Sequence, residues 1–195
     1  MSTKQPGSLT RRPRIRKSLA ICTLIVLGFS TGSLMAGYLG SGDFPTRFLD
    51  WRFFGTTSYN GSYTSPVAAG MNRWSSTTDL SFSQISGNNW DIAQYVSTFG
   101  STGWAGLAYI CATNGACNNS SAWNNTFDYC IAYENRTYMD GYNYTFRQAV
   151  SAHEAGHCVS LAHNNNTSSV MYTYISSTGV TNPNSGDRSD VNARY

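Results

Sequence analysis

Residues 153–163 read HEAGHCVSLAH, and they contain all three histidines of this 195-residue chain. From Tyr144 onward, apolar residues recur at intervals of three and four, which predicts a helix that carries the first two histidines. Residues four apart lie on one face of a helix, so the rings of His153 and His157 project toward the same point. The spacing therefore predicts that these two histidines are two of the ligands of a metal ion.

The third histidine completes this site only if the chain turns. His163 follows His157 by six residues, which is about 600° around a helix and about 120° short of two full turns. The helix must therefore end near Ser160 and let the chain fold back. Catalytic zinc sites use three protein ligands and keep one position for water. The stretch predicts one zinc ion held by the three histidines, with Glu154 as the catalytic residue that deprotonates the water.

The same stretch resembles the HExxHxxGxxH zinc motif of the metzincin metalloproteases. Residues 169–172, Ser-Val-Met-Tyr, resemble the Met-turn of that family, in which a methionine, here Met171, packs beneath the zinc ligands. Residues 187–191 resemble the final helix of the matrixins, and residues 74–82 resemble the helix-to-strand passage near their start. The resemblance covers roughly residues 45–195, and it is that of a matrixin-like metzincin.

This resemblance implies a fold and an activity. The implied fold class is α+β: a metzincin-like catalytic domain with a mixed, twisted β-sheet packed on two long helices, and a C-terminal helix. The implied enzyme is a zinc-dependent endopeptidase that cleaves protein or peptide substrates with a zinc-activated water and Glu154 as general base. A substrate would lie extended along an edge strand, for which residues 106–111 are the candidate. The alternative is a catalytically inert, secreted adhesion or glycan-binding module that zinc stabilises.

The sequence departs from the family pattern at several positions. Ser160 stands where the motif has glycine, and a non-glycine residue with positive φ costs on the order of 1 kcal/mol. Thr173 stands where some metzincins place a tyrosine ligand, so neither Tyr172 nor Tyr174 inherits that role. Neither a folded pro-domain before Phe48 nor a cysteine switch is recognisable.

Outside the histidine stretch, hydrophobic periodicity predicts one more helix and five strands. The helix is expected near a proline that follows a serine-rich entry, at residues 66–75. Two of the strands flank a long Asn/Ser-rich loop. The strands are predicted at residues 48–54, 79–85, 90–96, 106–111 and 127–134, with Ile92 and Val96 facing the core.

Charge divides the chain into a basic start and a mildly acidic remainder. The first 42 residues contain six Lys or Arg and no acid, whereas residues 43–195 contain seven Arg and ten acids, a net charge of −3. This balance removes the usual electrostatic argument for nucleic-acid binding. An apolar core over residues 18–29 and the small residues after it predict a signal peptide over residues 1–36. An uncleaved membrane anchor is the alternative.

Residues 37–195 are then predicted to form the catalytic domain of a secreted, monomeric protein. The cysteines agree with export, because an even number remains once the leader is removed. Four cysteines allow three disulfide connectivities. The bond between Cys111 and Cys117 is the easiest to close, because only five residues separate them. The disulfide candidates are Cys111, Cys117, Cys130 and Cys158. Calcium binding would need acids such as Asp43, Asp50, Asp128 and Asp140, but no spacing among them supports a site.

Overall fold

The computed structural model describes residues 37–55 and 60–195, so the predicted leader at residues 1–36 lies outside the described residues. Within the described part, the strands are β1 (Phe48–Gly55), β2 (Ser81–Gln84), β3 (Ile92–Ser97), β4 (Gly106–Ala112) and β5 (Phe127–Asn135). The helices are α1 (Asn60–Ser75), α2 (Ser120–Trp123), α3 (Arg136–Met139), α4 (Tyr144–Cys158), α5 (Ile175–Thr178) and α6 (Ser185–Arg194). None of these helices is long and apolar enough to cross a membrane.

The five strands form one mixed sheet in the order β2-β1-β3-β5-β4. Strand β1 runs parallel to β2 and β3, and β3 runs parallel to β5. Strand β4 pairs with β5 in the antiparallel direction and forms one edge of the sheet. The predicted α+β class with a mixed sheet, two long helices and a C-terminal helix is therefore confirmed.

The core lies between one face of this sheet and helices α1 and α4. Side chains alternate between the faces of a strand, and Ile92 and Val96 of β3 are buried on the helix side, as the sequence predicts. Met71 and Trp74 of α1 pack into the same core. The opposite face of the sheet carries a smaller cluster of aromatic side chains around Trp90.

Helix α1 begins six residues earlier than the sequence predicts, with Pro66 inside it. The prediction was wrong because it followed the local tendency of proline to stand at a helix start. Tertiary contacts override that tendency. The Tyr63 side chain is buried, its hydroxyl donates to the Asp140 carboxylate, and Arg147 lies over its ring at 4.5 Å from the centroid. Strand β2, at Ser81–Gln84, is shorter than the predicted residues 79–85.

Two disulfides connect the elements around α4. Cys111 and Cys117 close the short loop after β4, with a Cα–Cα distance of 4.1 Å. Cys130 of β5 is bonded to Cys158 at the end of α4, with a Cα–Cα distance of 5.5 Å. The second bond fixes the carboxyl end of the histidine-bearing helix to the middle of the sheet.

Removing the Cys130–Cys158 bond by replacing both residues with alanine should cost more stability than removing the Cys111–Cys117 bond. The sequence separations are 28 and 6 residues, and loop-closure entropy gives about 3–4 kcal/mol for the longer loop against about 2–2.5 kcal/mol for the shorter. At about 2–4 °C per kcal/mol, the longer bond corresponds to a Tm decrease of about 7–14 °C. Calorimetry of the two double variants tests this, and the reverse order would contradict it.

Candidate metal centre

Helix α4 carries the first two histidines and ends where the sequence requires a turn. Its first turn is capped by the Asn143 side chain, which accepts from the Phe146 N–H at 3.0 Å. After Val159 the chain reverses at Ser160, whose φ of 77° lies in the left-handed region. The Leu161 N–H then bonds back to the Gly156 carbonyl oxygen at 3.0 Å. This reversal brings the following residues back toward the helix.

The turn places the third imidazole beside the other two. The Nε2 atoms of His153, His157 and His163 lie 3.0–3.1 Å from one another. The Nδ1 atoms of the first two rings lie 2.7 Å from the carbonyl oxygens of Val170 and Leu161, respectively. A carbonyl oxygen only accepts, so Nδ1 of both rings carries the proton and their Nε2 atoms present lone pairs. Two lone pairs that converge beside a third imidazole nitrogen form a set of donors that could hold a metal ion.

These donors fit zinc. A tetrahedral ion with Zn–N distances of about 2.0–2.1 Å holds its ligand nitrogens about 3.3 Å apart, close to the separations observed. Burial lowers the pKa of His153 to about 3, and burial followed by the neighbouring rings lowers that of His157 well below its usual value. Both rings are therefore neutral, the form that binds metal. His163 is exposed, which leaves the centre open to solvent on its side.

Glu154 lies next to the cluster and beneath the edge strand. It is only 4% exposed, and a Cβ on Gly106 of β4 would collide with its Oε1. The backbone of Ala108 hydrogen-bonds to the carboxyl group, whereas Oε2 is buried without a partner. Burial and, second, the nearby carboxyl group of Glu134 raise the pKa of Glu154 well above its usual value. A glycine at position 106 is thus what allows this carboxyl group to lie against β4.

The Met171 side chain packs against Gly156 of α4, the residue before His157. A Cβ on Gly156 would collide with the Met171 Sδ and would stand 2.9 Å from the Trp74 ring. The turn that carries Met171 is held by Asp187 of α6, whose carboxylate accepts from the Ser169 hydroxyl and, at 3.1 Å, from the Val170 N–H. The C-terminal helix therefore holds the turn that carries Met171.

The first described residues hold the turn from the other side. The Leu39 N–H donates to the Ser160 carbonyl oxygen at 2.7 Å, and the Ala162 N–H donates to that of Gly37 at 2.9 Å. Arg194 of α6 donates to the Ser160 hydroxyl at 3.2 Å and to two carbonyl oxygens of this N-terminal segment. Both ends of the described chain thus support the segment that delivers His163.

The structure brings together the site residues predicted from sequence and adds others that the sequence did not reveal. Gly106, Glu134, Asp187 and Arg194 belong to elements distant along the chain. Gly106, Glu134 and Asp187 each lie in an element that the sequence predicts, but nothing in the sequence shows that these elements meet at the histidines. Among the described residues, only the three histidines group closely enough to hold a metal. Asp140, one of the acids named above for calcium, pairs with Arg136 at 2.9 Å.

Three imidazoles from one helix and the turn after it, set above a methionine turn, define a metzincin-type metal centre. Comparison with protein families agrees, because the matrixin model matches residues 45–195. The chain therefore belongs to the matrixin family, a family of zinc metallopeptidases. No curated protein matches it at a significant level.

Proposed function

We propose that this protein is a secreted zinc endopeptidase. The observation that carries the proposal is the convergence of three Nε2 atoms within 3.0–3.1 Å, with a buried carboxyl group on the adjacent residue. The matrixin match supports the same chemistry. His153, His157 and His163 would hold the ion. Zinc bound there lowers the pKa of water and polarises a carbonyl group.

Glu154 is the general base in this proposal. Its carboxylate accepts a proton from the attacking water and passes it to the leaving amine. The Ala108 backbone hydrogen bond and the contact with Gly106 hold the side chain in one place. Met171 has no chemical role and supports the histidines from below.

The substrate would bind along the free edge of β4. The Ile110 carbonyl oxygen accepts from Asn118 across that edge, and the Ala105 carbonyl oxygen accepts from Asn135 of β5. Because the peptide groups of a strand alternate in direction, those of Gly106 and Ala108 face away from β5. An extended peptide adds main-chain hydrogen bonds there, to the Gly106 N–H and C=O groups and to the Ala108 C=O group, because the Ala108 N–H bonds to Glu154. The disulfide-closed loop covers the edge from Ile110 onward, so the groove ends at that residue.

Residues 1–36 would act as a cleaved signal peptide, and residues 37–195 as the secreted catalytic domain of a monomer. The two disulfides support export, because such bonds persist in oxidising compartments. N-terminal sequencing of the mature protein tests cleavage. A mature chain that begins near residue 37 supports secretion, and one that retains the apolar segment supports a membrane anchor.

The function is tested by metal content and proteolysis in one preparation. The exported protein should contain about one zinc ion per chain and cleave casein. A chelator should abolish the cleavage, and added zinc should restore it. Cleavage that continues after the metal has been removed would contradict the proposal. Bound zinc without any cleavage would favour the inert zinc-stabilised module.

A further inference from the structure

Small residues line the sheet beneath Glu154. The register pairs Gly106 of β4 with Glu134 of β5, and pairs Ala108 with Ala132 in the next row on the same face. Strand β3 continues that second row with Gln94. The small side chains leave room for the longer polar ones between the sheet and α4. Glu134, Gln94 and Glu154 are all buried, at 0%, 0% and 4% exposure.

Among the described residues, Glu134 pairs with no cation, and no hydrogen bond of good geometry reaches its carboxyl group. Both of its carboxyl oxygens are buried without a partner. The Ser151 hydroxyl faces it from α4 but donates to the Val67 carbonyl oxygen at 3.3 Å. An isolated carboxylate is very costly to bury, so such a group takes up a proton. Burial accordingly raises the pKa of Glu134 to about 8.

Glu134 and Glu154 each have a carboxyl oxygen without a hydrogen-bond partner, and each can provide the partner that the other lacks. Two carboxyl groups buried at one position cannot both be charged, so they hold one proton between them. With that proton on Glu134, its O–H group faces Glu154 Oε2, which has no hydrogen-bond partner among the described residues. The two carboxyl groups lie over the same register position, because Gly106, which touches the carboxyl group of Glu154, is the cross-strand partner of Glu134. Glu154 is the titratable group that faces Glu134 from α4. Val96 and Gly106, its neighbours on β3 and β4, carry no charge.

We propose that Glu134 is a positioning residue for the peptidase reaction. As a neutral carboxylic acid, it donates a hydrogen bond to Glu154 Oε2, directly or through one internal water, and holds the general base against β4. Gln94 Oε1, which also lacks a partner, accepts the second proton of such a water. The inference rests on the proposed peptidase function.

A purely structural role for Glu134 makes the opposite prediction. Replacing buried ionisable groups by apolar residues of similar volume is often neutral or stabilising. Leucine at position 134 should therefore be tolerated in the core and harmless to activity if Glu134 only fills space. If Glu134 positions Glu154, leucine should keep the fold and reduce turnover.

Glu134→Leu is expected to lower kcat about ten-fold or more, within the range seen when a supporting hydrogen bond is lost. KM should stay unchanged, and neither the zinc content nor the Tm should fall. Glu134→Gln keeps a donor, so its kcat should stay within about three-fold of the parent, since a neutral donor replaces a neutral donor. The control is Tyr133→Phe, because this neighbour on β5 lies on the opposite face of the sheet.

Infrared spectroscopy tests the hydrogen bond without relying on activity. Glu134 and Glu154 are the two glutamates of the chain. The parent at neutral pH should show the carbonyl stretch of a protonated, buried carboxyl group. This band should disappear in Glu134→Gln. In Glu154→Gln it should remain but shift in frequency, because the group that accepts the hydrogen bond from Glu134 has changed.

Three results would overturn the inference: a Glu134→Leu enzyme as active as the parent, a Glu134→Gln enzyme as impaired as Glu134→Leu, or no such band in the parent. If Glu134→Leu does not fold, the glutamine variant and the band decide the question. A parent that shows the band but cleaves no peptide would refute the peptidase function and leave the hydrogen bond standing.

Discussion

Glu154→Gln should lower kcat for peptide hydrolysis by about 10²–10⁴-fold, the usual contribution of a general base, while zinc content stays unchanged. Glutamine keeps the size of the side chain but cannot accept the proton of the attacking water. Because Glu154 is not one of the three converging imidazoles, the metal donors remain intact. The measurement is the initial rate of casein or peptide cleavage beside the zinc-to-protein ratio.

The matched control is Asp128→Asn, which removes an exposed carboxylate of β5. It should leave both the rate and the zinc ratio unchanged. If Glu154→Gln cleaves as fast as the parent, the catalytic assignment of Glu154 is refuted. If it loses zinc together with activity, the carboxyl group supports the metal site and the general-base role is left without support.

His163→Ala should abolish peptide hydrolysis by weakening zinc binding. The variant removes one of three converging Nε2 atoms, and loss of even a supporting contact at a metal site costs about 10–100-fold in affinity. His163 is exposed, so the free energy of unfolding of the metal-free protein should change by no more than about 0.5 kcal/mol. Zinc titration and denaturant unfolding of the metal-free variant measure the two effects separately.

Asn165→Ala is the control for this variant, since it changes an exposed residue two positions further along the same segment. It should bind zinc and cleave substrate as the parent does. A His163→Ala protein with unchanged zinc affinity would show that the third imidazole is not a ligand. A large loss of metal-free stability would show instead that the ring holds the turn together.

The sequence predicted best the features that arise within one helix and the turn after it. The four-residue spacing of His153 and His157 places them on one helix face wherever the helix lies. The six-residue step to His163 requires the chain to reverse, and the reversal occurs at Ser160 with a φ of 77°. Alternation placed Ile92 and Val96 in the core for the same local reason.

Features that depend on distant contacts were not predicted. Pro66 lies inside α1 because Tyr63 is anchored by Asp140 and Arg147, which follow much later in the chain. No spacing relates Asp187 to the Met171 turn, although its carboxylate holds that turn.

The sequence by itself determined that three imidazoles converge and that one carboxyl group stands beside them, because helical geometry acts over a few residues. Only the tertiary structure decided what surrounds that carboxyl group. The pairing of β4 with β5 sets Gly106 opposite Glu134, and the packing of α4 on the sheet brings Glu154 onto both. Strand register and helix packing are fixed by burial of the whole core, so no short stretch of sequence encodes them.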